Sequence, residues 1–319
     1  MKSFLQRVPI PMAGLTLGLA ALGNLIQSWS ETARWICGAL AAVLWLLVVA
    51  RVLLCRAETK RDFDNSILAS VSATIFMTAM QLAAYAQPFW GTAALVLWCA
   101  AVAGHGGLIV WFTWRYMRRF QLAEVYPTYF IAYVGIVVAA VTSPTFGMET
   151  LGSAIFWFGF AAYLVMLVLV TVRYRKLAVA DSAKPLFCIY TAPMSLSLAG
   201  YLSAVEPKSA IFAIALELAA QLLLLVVLFQ LPKLLRLPFY PSYAAFTFPF
   251  VITAFALKKL LAWLPAAGVT PPVFLETVLT AETILAVAMV GYALIRYLMY
   301  LFSGLRLPAP APQPTADAE

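Results

Sequence analysis

The chain has 319 residues, of which 64% are hydrophobic and only 11% charged, and its net charge is +8. A soluble globule of this length needs more polar surface than that, so the composition excludes a soluble domain and predicts a membrane protein. No nucleic-acid partner is expected, because an embedded chain has no basic face for phosphates and its Lys and Arg residues lie in short loops.

Ten apolar runs are each long enough to cross a bilayer, which takes about 20 apolar residues. The first follows Lys2 and Arg7 but is longer than the apolar core of a signal peptide, so we expect a span and not a cleaved leader. Residues 1–302 are predicted to form one transmembrane domain, and the Pro- and Ala-rich residues 303–319 a disordered cytoplasmic tail. The predicted spans are 8–28, 33–54, 66–85, 92–114, 127–143, 151–172, 187–204, 209–230, 242–262 and 276–301.

Basic residues alternate from one gap between spans to the next. Cytoplasmic loops of membrane proteins are enriched in Lys and Arg. The pattern predicts five helical hairpins in the inner (plasma) membrane, with both chain termini in the cytoplasm. Seventeen of the 21 Lys and Arg residues lie on the predicted cytoplasmic side, and the exceptions are Arg34, Lys208, Lys258 and Lys259.

Proline distinguishes odd-numbered spans from even-numbered ones. It lies within or at the start of four of the five odd spans, as Pro9 and Pro11, Pro127, Pro193 and Pro249, whereas the third span has none. Proline kinks a helix, and the carbonyl it frees must be satisfied by protein or by water in a cavity. We therefore expect an inner ring of five odd helices around a lumen and an outer ring of five even helices. The alternative is that these prolines only shape helix packing.

A lumen lined by the odd spans would be apolar with a few hydroxyl groups. Such a lining has no fixed countercharge that would bind a cation tightly, and the basic collar on the cytoplasmic side favours anions. The hydroxyl groups expected there belong to Thr16, Ser70, Ser72, Thr74, Ser195, Ser197 and Thr247.

The sequence contains no catalytic motif, so we expect no enzyme activity, no cofactor and no metal site. The candidate intramembrane charges are His105, Glu217, Lys258, Lys259 and Glu282. A carboxylate in a membrane must be paired, protonated or exposed to water, so a contact between the glutamates and the lysines is expected. The alternatives are a proton or substrate site at the glutamates and a proton relay at His105.

Three phenylalanines surround the proline of the ninth span. On a helix Phe246 and Phe250 share a face, whereas Phe248 points about 200° away from each. An aromatic ring at a kink can plug a narrow pore, and the alternative is that all three rings only pack against lipid or protein.

Four segments give the chain a resemblance to the tellurite-resistance and dicarboxylate transporter family, which includes the bacterial protein TehA and the plant guard-cell slow anion channel. Members of that family are trimers with a pore in each protomer, formed by five odd helices inside five even ones. The four segments are 14–22 in the first span, 126–129 at the fifth, 192–201 in the seventh and 245–248 in the ninth.

The resemblance implies a homotrimer and assigns a pore gate to Phe248, because a phenylalanine of the ninth span occludes the pore in the family. The bacterial pattern has proline where this chain has Thr16, and glycine where it has Pro249. The candidate pore-lining residues are Gly14, Thr16, Gly18, Pro127, Pro193, Ser195, Ser197, Thr247 and Pro249.

These observations favour an anion-selective channel or channel-like exporter in the lipid bilayer. Its expected partners are small inorganic anions such as chloride and nitrate. The alternative is a proton-coupled carrier or exporter of dicarboxylate, sulfite or tellurite-type oxyanions, in which Glu217, Glu282 or His105 would carry the proton.

Overall fold

The computed structural model describes residues 2–302, and every regular element among them is helical. Eight helical segments in this part of the chain are long and apolar enough to cross a membrane, and a ninth apolar helix, Met12–Ile26, is shorter. The chain is therefore an all-helical, multi-pass membrane protein, as its composition predicted. The tail predicted over 303–319 lies outside the described residues.

Each of the ten predicted spans overlaps a helical segment. The longest segment, Ser66–Met117, contains two spans, because its backbone leaves the helical region at Trp90 and Gly91. Two short helices, Lys2–Leu5 and Arg56–Asp62, lie outside the spans. Numbered in chain order, the membrane helices are α1 (Met12–Ile26), α2 (Glu31–Leu54), α3 (66–89), α4 (92–117), α5 (Thr128–Phe146), α6 (Glu149–Lys176), α7 (Asp181–Ala204), α8 (Ala210–Leu234), α9 (Pro241–Ala267) and α10 (Phe274–Phe302).

Odd-numbered and even-numbered helices differ in how much of their surface is buried. In their most apolar stretches, α5 is 72% buried and α7 and α9 are 83% buried, against 28% for α2 and 33% for α6, α8 and α10. All of α1 except Asn24 and Ile26 is buried. The even helices turn large apolar side chains outward, for example Leu46 and Phe229, as a lipid-facing surface requires.

The odd helices α3, α5, α7 and α9 are each interrupted within the membrane. Pro193 and Pro249 lie in the first turn of the α-helical part of α7 and α9, where proline removes no intrahelical hydrogen bond. The interruptions are a turn at Ser72 in α3, a 3-10 turn over Gly135–Val137 in α5, the change from a 3-10 helix (Asp181–Thr191) to an α-helix (Ala192–Ala204) in α7, and the break at Thr247 between Pro241–Phe246 and Phe248–Trp263 in α9.

The interruption in α3 arises without proline. Ser72 Oγ donates to the carbonyl of Ala69 at 2.6 Å, and Thr74 Oγ1 donates to that of Val71 at 2.6 Å. Hydroxyl groups that bind carbonyls of the preceding turn compete with the helix and bend it. Prolines stand at the interruptions of α7 and α9, whereas hydroxyl groups accompany the one in α3 and the turn in α5 contains neither.

Hydroxyl groups also join neighbouring odd helices to one another. In lipid such bonds satisfy polar groups that have no water to bind. Each bond joins two helices that are adjacent in the odd series, and one returns from α9 to α1. Four of these bonds are Thr16 with Thr78 (3.0 Å, α1 and α3), Ser70 to Thr128 (2.7 Å, α3 and α5), Ser195 with Thr253 (3.0 Å, α7 and α9) and Thr247 to the carbonyl of Gly14 (3.0 Å, α9 and α1).

Glycine allows the closest approaches between odd helices. A Cβ atom at Gly200 of α7 would lie 2.5 Å from Cγ1 of Val137 in α5. A Cβ atom at Gly18 of α1 would lie 2.5 Å from Cβ of Thr247 in α9. Real Cβ atoms do not come that close to backbone-anchored neighbours, so both positions require glycine for the observed helix separation.

Replacing Gly18 with Ala is expected to destabilise the protein. The new methyl group would push α1 away from the break in α9, and overpacking of this kind costs about 1–3 kcal/mol. Gly107→Ala on α4 is the matched control, because a Cβ there meets no atom within 4 Å and alanine favours a helix by about 0.5–1 kcal/mol. Thermal unfolding in detergent should show a lower Tm for Gly18→Ala only. Equal Tm values for both variants would contradict the close contact.

Candidate functional site

A cavity of about 310 Å³ lies between the odd helices. Every residue that lines it belongs to an odd helix or immediately precedes one. The odd helices start at the end of the bundle that carries the basic loops, called the basic face here; the other end is called the opposite face. The cavity runs from the first residues of these helices, at the basic face, to their middle, where its lining includes Leu17, Met77, Val134, Leu196 and Phe248.

The lining of this cavity is apolar along most of its length. Its polar residues Asn65, Ser182, Tyr240 and Ser242 lie at the basic face, where the odd helices begin. The hydroxyl of Thr74, deeper in the cavity, already donates to the carbonyl of Val71, and Asp, Glu, Lys, Arg and His do not occur in the lining. A small solute in the cavity would therefore meet no fixed charge.

Phe248 lies at the deep end of the cavity, where its side chain is 6% exposed. It is the first residue of the α-helical part of α9, directly after the break at Thr247. The Thr247 hydroxyl donates to the carbonyls of Ala244 (2.7 Å) and Gly14 (3.0 Å), which ties the break to α1. The backbone before the ring is thus anchored on two helices.

The two flanking phenylalanines do not line the cavity. Phe246 is fully buried, with its ring 4.8 Å from that of Tyr243, and Phe250 is 1% exposed. Phe248 therefore faces a different environment from Phe246 and Phe250, as the sequence predicted. The prediction assumed one continuous helix, whereas the structure has a break at Thr247 between Phe246 and Phe248.

The predicted lining residues fall into two groups. Gly14, Pro193 and Pro249 line the cavity. The other six predicted residues lie outside the cavity lining, and most of them form contacts between helices instead. Ser197 donates to the carbonyl of Pro193 at 2.7 Å, Pro127 precedes the first turn of α5, and the remaining four, Thr16, Gly18, Ser195 and Thr247, form the helix contacts described above.

The cavity wall contains residues that sequence reasoning missed. Leu17, Met77, Val134 and Leu196 surround the deep end of the cavity together with Phe248. An apolar side chain in an apolar span gives the same signal whether it faces lipid, another helix or a cavity. No feature of the sequence therefore distinguished these four residues.

The titratable residues within the spans lie outside the cavity lining. His105 is fully buried, and its Nε2 is 2.9 Å from the carbonyl of Ala132 on α5, whereas its Nδ1 has no hydrogen-bond partner among the described residues. Lys258 Nζ donates to the carbonyl of Leu25 (2.7 Å) and to Ser28 (2.8 Å). Both contacts join α9 to the end of α1.

The expected contact between the glutamates and the lysines is not formed in the described part of the chain. Gln221 Nε2 donates to Glu217 Oε1 at 2.6 Å, and the other Glu217 oxygen and both Glu282 oxygens have no hydrogen-bond partner among the described residues. Glu282 interacts electrostatically with Glu217. Two buried carboxyl groups, one on α8 and one on α10, therefore influence each other.

Comparison with known proteins identifies the family to which the chain belongs. A family model described as SLAC1, voltage-dependent anion channel, matches residues 7–298. No curated protein sequence matches the chain. The match begins before α1 and ends within α10, and it agrees with the resemblance carried by the first, fifth, seventh and ninth spans. The chain therefore belongs to the SLAC1 family of voltage-dependent anion channels.

Proposed function

We propose that the protein is an anion-selective channel, or channel-like exporter, that passes small monovalent anions such as chloride and nitrate through a pore in each protomer and is closed by Phe248. The observation that carries the proposal is the cavity lined only by odd helices, with Phe248 at its deep end. Membership of the family supports anions as the transported solutes.

The five odd helices form an inner ring around the pore. Three observations support this arrangement: their high burial, their hydroxyl bonds from one odd helix to the next, and the bond from Thr247 to Gly14 that links the last to the first. The even helices form the outer ring and meet lipid. Hydroxyl bonds thus support four of the five junctions of the ring, and the close approach of Gly200 to Val137 supports the fifth, between α5 and α7.

The selectivity of the pore for anions follows from the positions of the charged residues. The cavity lining has no carboxylate to attract a cation and no ammonium to trap an anion. The basic loops at the mouth raise the local anion concentration by their electrostatic potential. An apolar passage admits ions that give up part of their hydration easily, which favours monovalent anions over sulfate or phosphate.

The Lys and Arg distribution supports an orientation with the basic face and both termini in the cytoplasm. The location is then the inner (plasma) membrane, with the opposite face outside. Following the family resemblance, three protomers assemble into a homotrimer, each with its own pore.

A second candidate function is a proton-coupled carrier or exporter of dicarboxylate, sulfite or tellurite-type oxyanions. The observation that favours it is the buried pair Glu217 and Glu282, whose unpartnered oxygens can hold a proton. The pair lies on α8 and α10, outside the cavity lining, so a proton there would not meet a solute in the pore. The channel is therefore the preferred function.

Replacing Phe248 with Ala is expected to open the pore. Each 1.4 kcal/mol of barrier that the ring imposes is worth about a factor of ten in rate, so chloride current should rise at least about tenfold. The measurement is current through purified protein in a planar bilayer under a chloride gradient, where the reversal potential should lie near that of chloride.

Phe246→Ala and Phe250→Ala are the matched controls for that experiment. Both rings are buried outside the cavity lining, so each change should lower stability by about 3–5 kcal/mol without opening the pore. The gate assignment fails if a flanking variant conducts and Phe248→Ala does not. The anion assignment fails if the current reverses near the equilibrium potential of the cation.

The double change Glu217→Gln and Glu282→Gln is expected to leave chloride current within about twofold of the parent, since removing charges outside the lining alters no barrier in the pore. Glutamine has nearly the shape of glutamic acid but cannot release a proton. Current in the Phe248→Ala background should also be independent of pH on either side. Loss of a pH-driven, saturable uptake of dicarboxylate or sulfite in the double variant would instead establish the carrier.

A further inference from the structure

Each odd helix has a partly exposed residue on the far side of Phe248. Two residues that are seven positions apart on a helix point in directions about 20° apart and lie about 10.5 Å apart along the helix axis. Seven residues beyond the deep lining residue of each odd helix, the side chain is partly exposed, whereas the residues directly before and after it are buried. The five pairs are Leu17 and Asn24, Met77 and Ala84, Val134 and Val141, Leu196 and Ser203, and Phe248 and Phe255.

These five partly exposed residues continue the cavity-lining faces of the odd helices beyond Phe248, and the surface they form is here called the outer recess. α5, whose 3-10 turn lies within the seven-residue step, shows the same pattern as the four other helices. The level of Phe248 separates the outer recess from the cavity.

Lys259 lies on the face of α9 that borders the outer recess. It follows Phe255 by four residues and Phe248 by eleven, so it is about 20° away from Phe248 around the helix and about three turns further along. Its Nζ lies 5.7 Å from the centre of the Phe255 ring. Lys259 as a residue is partly exposed.

Lys259 differs from the other basic residues of the opposite face in having no polar partner. Within residues 2–302, its ammonium forms neither a hydrogen bond nor an ion pair. Lys208 is close enough to add to the positive potential at Lys259, although Glu206 offsets it. The partners of the other three are Glu31 and Asn24 for Arg34, the carbonyl of Leu25 and Ser28 for Lys258, and Glu206 for Lys208.

We propose that Lys259 is a capture site for small monovalent anions at the outer recess; this inference rests on the proposed channel function. A partly desolvated ammonium without a counterion is stabilised by a mobile anion. The neighbouring Phe255 ring offers no hydrogen bond that could replace a hydration shell, so the site takes weakly hydrated anions such as chloride or nitrate. The site loads the pore from the opposite face.

The test compares Lys259→Gln with Lys258→Gln, each in the Phe248→Ala background. Both changes remove one charge from adjacent residues at the same depth, but only Lys259 borders the recess and lacks a partner. With chloride supplied from the opposite face in dilute salt, Lys259→Gln should lower current about threefold, the factor that one charge at about 6 Å in water gives. In about 1 M salt, where the Debye length is about 3 Å, the loss should vanish.

A charge-restoration experiment separates an electrostatic role from a structural one. In Lys259→Cys, a positively charged methanethiosulfonate reagent applied from the opposite face should restore the current, and a negatively charged one should lower it further. The Phe248→Ala protein without the new cysteine, treated in the same way, controls for the four native cysteines. A purely structural lysine would not respond to the sign of the added charge.

The outcomes distinguish the two proposals. Equal losses for both lysine variants, or no loss for Lys259→Gln, would overturn the capture site and leave the channel intact. If the Phe248→Ala protein with both lysines carries no chloride current, the channel function itself fails and the capture site fails with it.

Discussion

The structure depends on satisfying backbone carbonyls without water at the points where the odd helices are interrupted. In a membrane each unsatisfied carbonyl costs several kcal/mol, so a broken helix is stable only if another group donates to it. Threonine and serine hydroxyls do so here, for example Thr247 to the carbonyls of Ala244 and Gly14, and Ser195 to that of Thr191. The same bonds join neighbouring odd helices, so one set of hydroxyl groups both permits the breaks and holds the inner helices together.

This use of the hydroxyl groups explains why the cavity is apolar. A hydroxyl committed to a carbonyl or to another hydroxyl in the helix contacts is not available in the cavity wall, which is left to side chains such as Leu17, Met77 and Leu196. The break in α9 also sets where Phe248, the proposed gate, lies along the cavity. Thr247 is tied to α1 and Gly18 lets α1 approach, so Phe248 begins its helix at a fixed height with its ring toward the cavity.

Hydropathy predicted the number and order of the spans, because the length of apolar chain that crosses a bilayer can be recognised in a window of about 20 residues. Proline predicted the breaks in α7 and α9 but not the one in α3, where Ser72 and Thr74 act through carbonyls. The lining could not be predicted residue by residue. Whether Thr16 faces a lumen or a helix depends on Thr78, which lies 62 positions away and meets it only in the folded chain.

Charge is distributed along the pathway in a way that suits conduction. An ion must be attracted strongly enough to enter but bound weakly enough to leave. A lysine in the narrow middle would hold an anion in a low-dielectric site, where attraction is several times stronger than in water. Here the wall near Phe248 has no charge, while basic residues lie at the basic face and Lys259 lies about 16 Å beyond Phe248 at 1.5 Å rise per residue. In the proposed channel, attraction therefore acts at both ends of the path, where water weakens it enough for the ion to move on.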